Sequence, residues 1–359
     1  MGVWGRRKTP AKNHPAFLFC PFFAIIYGTM SKDKENREKT LLSGVKPTGR
    51  PHIGNYFGAI RQFIDLQKDY KSFISIVDLH ALTSVQNAAE LRESTLNVAI
   101  DFLALGVDPK KVTLFKQSDI PAHTELTWIF NCLTTMPYLM RAHAYKDAQS
   151  KDREVNVGLF DYPVLMATDI LLYDADVVPV GQDQKQHLEI ARDIAEKFNR
   201  TFGETFVLPE PLIQESVGSV PGTDGRKMSK SYGNTIGLFA TKAEIAEAVM
   251  KIPTDSKGVN EPKDPATCNV FALHKLFASD SQLVELDRRY REGLIGYRES
   301  KEILVDQIEA FVKPLREKRE AVAADKEAVI AILSAGAEVA REITNKKMEI
   351  VHERTGLSF

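Results

Sequence analysis

Between residues 40 and 180, short apolar runs alternate with longer segments of helical periodicity, and this alternation limits the possible folds more than any other feature. Runs typical of buried strands lie at 40–45, 72–77, 112–115 and 177–180. Strands that are joined by helices of ten or more residues form parallel sheets with helices on both faces. The sequence therefore predicts an α/β fold with a Rossmann-like sheet, which binds ligands beyond the carboxyl ends of its strands.

The alternation is interrupted once and then ends, which predicts the domain organisation. Residues 119–160 read as helices, at 123–133 and 138–145, and a polar loop, so we expect an insertion in the sheet. Beyond Gly237 every pattern is helical. We therefore expect a Rossmann-like domain over residues 40–236 and an α-helical domain over residues 237–359. Pro314 should kink or divide one helix of the second domain.

The N-terminus does not fit either domain. Its apolar run at 16–27 follows three basic residues, is too short to cross a bilayer and is broken by Pro21. We interpret residues 1–39 as an extension that is disordered or non-native, and a cleaved targeting segment is the alternative. The three cysteines lack CxxC spacing and predict neither disulfides nor a zinc site. With 43% hydrophobic and 26% charged residues, a cytoplasmic protein without membrane association is expected.

The stretch 41–55 reads as a strand, a tight turn and the start of a helix. Prolines and a glycine shape the turn, and His52 and Asn55 bring polar side chains to the helix start. Unpaired N–H groups at a helix start favour anions, so this segment is one way to build a phosphate site. Its glycine spacing matches neither a Walker loop nor a dinucleotide fingerprint.

A second phosphate-binding candidate is the segment 227–231, which follows a glycine-rich loop. Its two lysines, Lys227 and Lys230, are three residues apart among small hydroxyl side chains. Lysine is a mobile point charge that can follow phosphate oxygens as charge moves during phosphoryl or nucleotidyl transfer. A solvated basic turn would be the better interpretation of this segment alone, but its pairing with the stretch 41–55 favours a triphosphate site.

Together the two segments resemble the signatures of the class I aminoacyl-tRNA synthetases. Residues 52–55 are similar to the HIGH motif, residues 227–231 match the KMSKS motif in full, and the resemblance extends from Leu41 to the C-terminus. It implies a ligase for protein biosynthesis that works in two steps. ATP and an amino acid form an aminoacyl-adenylate and pyrophosphate, and the acyl group then passes to the 3′ end of tRNA.

Residue by residue, the resemblance implies where ATP binds. The implied ATP-binding residues are Lys46, Pro47, Thr48, His52, Gly54, Asn55, Gly181, Gln182, Asp183, Val220, Lys227, Met228, Ser229, Lys230 and Ser231. The implied catalytic residues are Lys46, Asn55, Lys227 and Lys230, although the family often has Gln at the position of Lys46. Mg²⁺ is expected on the phosphates, but no carboxylate cluster of the sequence predicts its ligands.

Further segments resemble the tryptophan branch of the family. The implied tryptophan-binding residues are Asp169, Met166, Tyr162, His80, Val178, Val180 and Gln184. Met166 and the two valines would line a flat apolar slot for an indole ring, and Asp169 would accept its N–H. The tyrosine enzymes of the family are similar in this segment but have Gln where Met166 stands. The implied substrates are L-tryptophan, ATP and tRNA(Trp), and a homodimer using the insertion is expected.

Several other interpretations remain open at this point. A tyrosine enzyme is one alternative, and a silent RNA-binding paralogue is another, although such a paralogue has no reason to keep both signatures. Asp169 could be a core carboxylate that a hydroxyl such as Tyr173 satisfies. We expect His80 to orient other groups rather than act as a base, and His123 and His143 to be surface or packing residues. We expect Trp128 and Phe130 to pack in the core or at a subunit interface. Weak candidates for contact with the anticodon are Arg316, Lys318 and Arg319.

Overall fold

The central element of the structure is a five-stranded parallel sheet. The computed structural model describes residues 38–142, 145, 155–179, 185–212 and 220–359. The strands are β1 (Thr40–Val45), β2 (Lys71–Ile76), β3 (Val112–Lys116), β4 (Val177–Pro179) and β5 (Glu210–Leu212). They lie in the order β3-β2-β1-β4-β5, with every neighbouring pair parallel. The strand order reverses at β1, so the carboxyl ends of β1 and β4 flank a crevice of the kind that binds ligands.

Helices connect the strands and cover the sheet. Those of the first 212 residues are α1 (Ile53–Asn55, Tyr56–Ile60 and Arg61–Leu66), α2 (Asp78–Ala81), α3 (Ala88–Leu105), α4 (Ala122–Leu133), α5 (Met136–Leu139), α6 (Val157–Leu171) and α7 (Lys185–Phe202). The middle part of α1 is π-helical. The predicted helix over 138–145 is wrong in its bounds, because α5 ends at Leu139. The sequence pattern also missed β5, which has three residues and contains a proline.

The remaining chain is helical in the described structure, as predicted. Its helices are α8 (Lys242–Met250), α9 (Asn269–Phe277), α10 (Asp280–Arg291), α11 (Tyr297–Ala323) and α12 (Lys326–Thr355). Pro314 lies inside α11 and does not divide it. Residues 39–359 form one compact unit. None of the helices in the described ranges is long and apolar enough to cross a membrane.

The sheet is buried on both faces, which explains its continuous apolar strands. Phe73 and Phe115 face one large apolar cluster, whereas Ile74 and Leu114, their neighbours in sequence, face a second one. Helices α3, α11 and α12 contribute side chains to the second cluster. The core therefore fixes β1, β2 and β3 from both sides and holds their carboxyl ends at one edge.

Two aromatic residues of α4, Phe130 and Trp128, differ in their burial. Phe130 is fully buried in the first cluster, which confirms the prediction of a core residue. Trp128 is 71% exposed, so core packing is wrong for this residue. Of the two expected environments for Trp128, the core and a subunit interface, only the interface is compatible with this exposure.

Candidate active site

The turn after β1 leads directly into α1, and a reciprocal cap fixes its geometry. His52 Nδ1 accepts the backbone N–H of Asn55 at 3.2 Å, and Asn55 Oδ1 accepts the backbone N–H of His52 at 3.1 Å. Burial, followed by the charge of Lys230, lowers the pKa of His52 to about 4. The imidazole is therefore neutral near pH 7, and its ring nitrogen can serve as the cap acceptor.

The segment 227–231 lies against this turn. The backbone N–H of Gly54 donates to Met228 Sδ at 3.3 Å, and the Lys230 ammonium donates to the carbonyl oxygen of Thr48 at 2.7 Å. Met228 is buried, whereas Lys227 is exposed. The structure thus brings together the two signatures, which are about 180 residues apart in the sequence.

A buried asparagine shapes the second signature. Asn234 Oδ1 accepts the N–H of Ser229 at 2.8 Å, and its amide nitrogen donates to Asp224 Oδ1 at 2.7 Å. The hydroxyls of Ser229 and Ser231 are bonded to each other at 2.9 Å. The carbonyl oxygen of Val220 accepts the N–H of Met228 at 2.9 Å. These bonds fix the conformation of the loop, from which Lys230 reaches Thr48.

A cavity of about 310 Å³ lies between the turn, α3 and Lys230. Lys46, Asn55 and Lys230 line it, together with the buried carboxylate of Asp101. Burial lowers the pKa of both lysines, and for Lys230 the charge of Asp101 partly offsets this effect. The Lys46 ammonium donates to Thr83 Oγ1 at 3.1 Å. Two cations therefore converge on a space that can accept phosphate groups.

A buried polar cluster surrounds Asp169 on α6. The carboxylate accepts hydrogen bonds from Gln117 Nε2 at 2.6 Å, His123 Nδ1 at 2.7 Å and His80 Nε2 at 2.8 Å. Burial alone would raise the pKa of Asp169, but the bond from His123 and the charge and bond of His80 outweigh it and lower the pKa to about 2. Asp169 is therefore an ionised acceptor inside the protein.

This cluster corrects two sequence-based expectations. His123 is not a surface residue, because it is fully buried; its ring packs against Phe115 and Tyr173, and it also has a polar role, since its Nδ1 bonds Asp169. Tyr173 does not satisfy Asp169 directly; its hydroxyl lies 2.9 Å from His123 Nε2. Burial, and then the charge of Asp169, raise the pKa of Tyr173, so the hydroxyl keeps its proton and can donate it. The expectation that His80 orients another group agrees with its bond to Asp169.

The other expected tryptophan-binding residues lie near this cluster where the structure describes them. Met166 is on α6, one turn before Asp169, and is partly buried. Val178 is buried in β4. The Tyr162 hydroxyl lies 2.7 Å from His187 Nε2, and its ring meets that of His80 edge-on at 6.1 Å. Val180, Gly181, Gln182, Asp183 and Gln184, and also His143, lie outside the described residues.

Sequence reasoning missed four residues that contact predicted ones. Gln117 and His123 bind Asp169, Thr83 binds Lys46, and His187 binds Tyr162. Gln117 could have been found, because it follows β3 directly, as polar residues follow β1 and β2 at the same edge. His123 and His187 lie on helices, where no comparable sequence signal marks them as partners.

Two of the three basic residues considered for anticodon contact are engaged within the chain. Arg316 pairs with Glu309, and Arg319 binds Asp101 at 2.5 Å and Asn97 at 2.8 Å. Both side chains are mostly buried, so the structure contradicts their use as free contacts for RNA. Within the described part of the chain, no group of three or more His, Cys, Asp or Glu residues is arranged to hold a metal ion.

The chain matches a known protein family over most of its length. The family model for tRNA synthetases class I (W and Y) matches residues 34–313. A tryptophan–tRNA ligase of Rhodopirellula baltica is 49% identical over 317 residues, which cover 88% of this chain and 99% of the relative. One of Fusobacterium nucleatum is 49% identical over 320 residues, which cover 89% and 98%. The crystal structure of tryptophanyl-tRNA synthetase from Campylobacter jejuni complexed with ADP and tryptophan has a TM-score of 0.85 at 45% identity, covering 88% of this chain and 99% of that one.

Proposed function

The chain belongs to the class I tRNA synthetases for tryptophan and tyrosine and has the function of a tryptophan–tRNA ligase, and we propose that the residues around Lys230 and Asp169 carry out this function. The enzyme activates L-tryptophan with ATP to tryptophanyl-adenylate and pyrophosphate, and it transfers tryptophan to tRNA(Trp). The observation that supports our assignment of residues is the contact of the two signatures, in which Lys230 reaches the turn before α1.

We assign the triphosphate to the cavity beside that turn. Lys46 and Lys230 supply positive charge there, and Asn55 lines the same space. The tryptophan carboxylate attacks the α-phosphorus of ATP, and pyrophosphate leaves with the electron pair of the broken P–O bond. Lysines that follow this charge lower the barrier by electrostatic stabilisation, and the reaction needs no covalent enzyme intermediate. Lys227 and Asn55 complete the proposed catalytic set.

The expected Mg²⁺ ion arrives on the phosphates of ATP in this proposal. The described residues offer no carboxylate cluster that would hold the ion alone, and a magnesium ion commonly keeps several waters and binds substrate phosphates. Its charge would help to neutralise the leaving pyrophosphate. The chain's own contribution is the placement of Lys46, Lys227 and Lys230 around those phosphates.

We assign tryptophan to the side of α6 on which Met166 and Asp169 lie one turn apart. Met166 and Val178 provide apolar contacts for the indole ring, and the ionised Asp169 accepts the indole N–H. A phenylalanine ring would leave this buried carboxylate without its last donor, so the site would reject it. Tyr162 and Gln184 are assigned to the substrate ammonium group.

The test of the phosphate assignment is amino-acid-dependent ATP–pyrophosphate exchange. Tryptophan should support exchange, and tyrosine should not. Lys230→Ala should lower kcat for exchange by about 100-fold or more, because one cation on the transferring phosphates is lost, while tryptophan binding by calorimetry changes less than about two-fold. Lys346→Ala is the matched control, because Lys346 is an exposed lysine of α12 that pairs with Glu342 and does not line the cavity. Exchange that survives in Lys230→Ala at the wild-type rate would contradict the assignment.

We further propose that the protein is a homodimer and acts in the cytoplasm. The helical C-terminal domain is proposed to read the anticodon. Exposed apolar side chains at the insertion support the dimer: Trp128, Met136 and Val157 are each more than half exposed. Trp128→Glu should shift the molar mass measured by light scattering toward the monomer.

Of the three basic residues considered for RNA contact, Lys318 is the exposed one, whereas Arg316 and Arg319 are mostly buried.

A further inference from the structure

The two oxygens of Asp169 are not equivalent. Oδ1 accepts two hydrogen bonds, from Gln117 Nε2 and His123 Nδ1, whereas Oδ2 accepts one among the described residues, from His80 Nε2. A carboxylate oxygen accepts about two hydrogen bonds. The remaining acceptor capacity of this buried group therefore lies on Oδ2, next to His80.

The orientation of both donors on Oδ1 is determined by their surroundings. If the Gln117 amide were reversed, its oxygen would face an ionised oxygen 2.6 Å away, so the nitrogen must point to Asp169. Since Asp169 carries no proton, the His123 proton on Nδ1 faces it, and the Tyr173 hydroxyl, which keeps its own proton, donates to Nε2 and so supports this tautomer. Both donors are fixed without any substrate.

The burial of Gln117 destabilises the folded state, and an apolar residue at this position would not have this effect. The side chain is fully buried, and its Oε1 has no hydrogen-bond partner within the described ranges. An unpaired buried carbonyl destabilises the folded state, and such groups in native proteins call for an explanation. A requirement for an N–H donor at Oδ1 of Asp169 supplies one.

We propose that Gln117 and His123 are specificity-determining positioning residues, which occupy Oδ1 of Asp169 and leave a single acceptor site, on Oδ2, for the indole N–H. This inference rests on the proposed contact between Asp169 and the indole. Loss of either donor frees Oδ1 and lets the carboxylate turn, so the N–H no longer meets one fixed acceptor. The enzyme then distinguishes less well between tryptophan and a ring of the same shape without the N–H.

The test compares tryptophan with its benzothiophene analogue, in which sulfur replaces the indole N–H. Selectivity is the ratio of their kcat/KM values in ATP–pyrophosphate exchange. Gln117→Met keeps the length of the side chain and removes the donor, and it should lower selectivity about ten-fold while the KM for ATP stays within two-fold. Thr168→Val is the matched control: Thr168 is as buried as Gln117, adjoins Asp169 on α6 and bonds Thr127 rather than Asp169, so selectivity should not change.

The outcomes separate this inference from the function on which it rests. Wild-type selectivity in Gln117→Met, with selectivity lost in Asp169→Asn, overturns the inference and leaves the indole contact intact. A wild-type enzyme that uses both substrates equally overturns the indole contact and the inference together. If Gln117→Met does not fold, Tyr173→Phe decides, since it removes only the hydroxyl that supports the His123 tautomer. It should lower selectivity at least about two-fold, and no change would refute the positioning role.

Discussion

At the scale of single residues, the signature turn depends on a histidine that must stay neutral. His52 caps α1 through a ring nitrogen that accepts a proton only at low pH, because burial and the charge of Lys230 lower its pKa to about 4. The same residue in an unfolded chain titrates near its ordinary value of 6.5. The cap and the cationic site are thus compatible, since burial and then the charge of Lys230 keep the acceptor nitrogen unprotonated.

This difference in pKa predicts a pH-dependent contribution to stability. Between about pH 6.5 and pH 4 the unfolded chain binds more protons at His52 than the folded chain, so acidification favours unfolding. His52→Asn keeps a cap acceptor and does not titrate. From pH 7 to pH 4.5, the free energy of unfolding in urea should fall by roughly 1 kcal/mol less in His52→Asn than in the wild type, after allowance for solvent screening. Parallel pH curves for the two proteins would exclude this role.

At the scale of elements, α1 and the loop 227–231 pack so closely that a methyl group cannot fit between them. A Cβ at Gly54 would lie 2.9 Å from His52 Nδ1 and 3.1 Å from Met228 Cβ. Both neighbours are buried and held by hydrogen bonds, so neither can move without disturbing a signature. The glycine of the HIGH-like element is thus needed for the contact between the two elements.

We predict opposite effects for two glycines of the same helix. Gly54→Ala should lower kcat/KM for ATP in the exchange assay by at least about ten-fold, because the added methyl group pushes the loop 227–231 away from the turn. Gly58 is exposed in α1, and a Cβ there meets nothing within 4 Å. Gly58→Ala should keep its activity and gain up to about 1 kcal/mol of stability from helix propensity. Equal activity in both variants would show that the close packing is not required.

Elements were predictable where their signals are local. For α3, helical periodicity over 88–105 that stops at Gly106 predicts the observed bounds: Asn87 caps the start, and Gly106, with a φ of 109°, ends the helix. The π-helical part of α1 was not predictable, because its sequence shows ordinary helical spacing. The Asp169 cluster was only half predictable. Its carboxylate stands in a recognisable motif, but Gln117 and His123 come from other elements, and only the fold brings them within 3 Å.

At the scale of the whole molecule, the C-terminal helices are part of the scaffold that holds the site. Arg319 of α11 binds Asp101, which lines the cavity beside Lys230. Helix α12 packs against β3, the strand that ends next to Gln117, and Gly336 lies on the Leu114 backbone. A change in the helical domain can therefore reach the carboxyl edge of the sheet through rigid elements in direct contact.

The contact of α12 with β3 gives the last prediction. A Cβ at Gly336 would overlap the carbonyl oxygen of Leu114, and neither main chain can yield without shifting the helix or the strand. Gly336→Ala should therefore lower the free energy of unfolding by roughly 2–4 kcal/mol, measured by urea titration, and should also lower the exchange rate. Ser334→Ala, an exposed change on the same helix, should leave both within error of the wild type. An unchanged urea midpoint in Gly336→Ala would mean that α12 does not rest on β3.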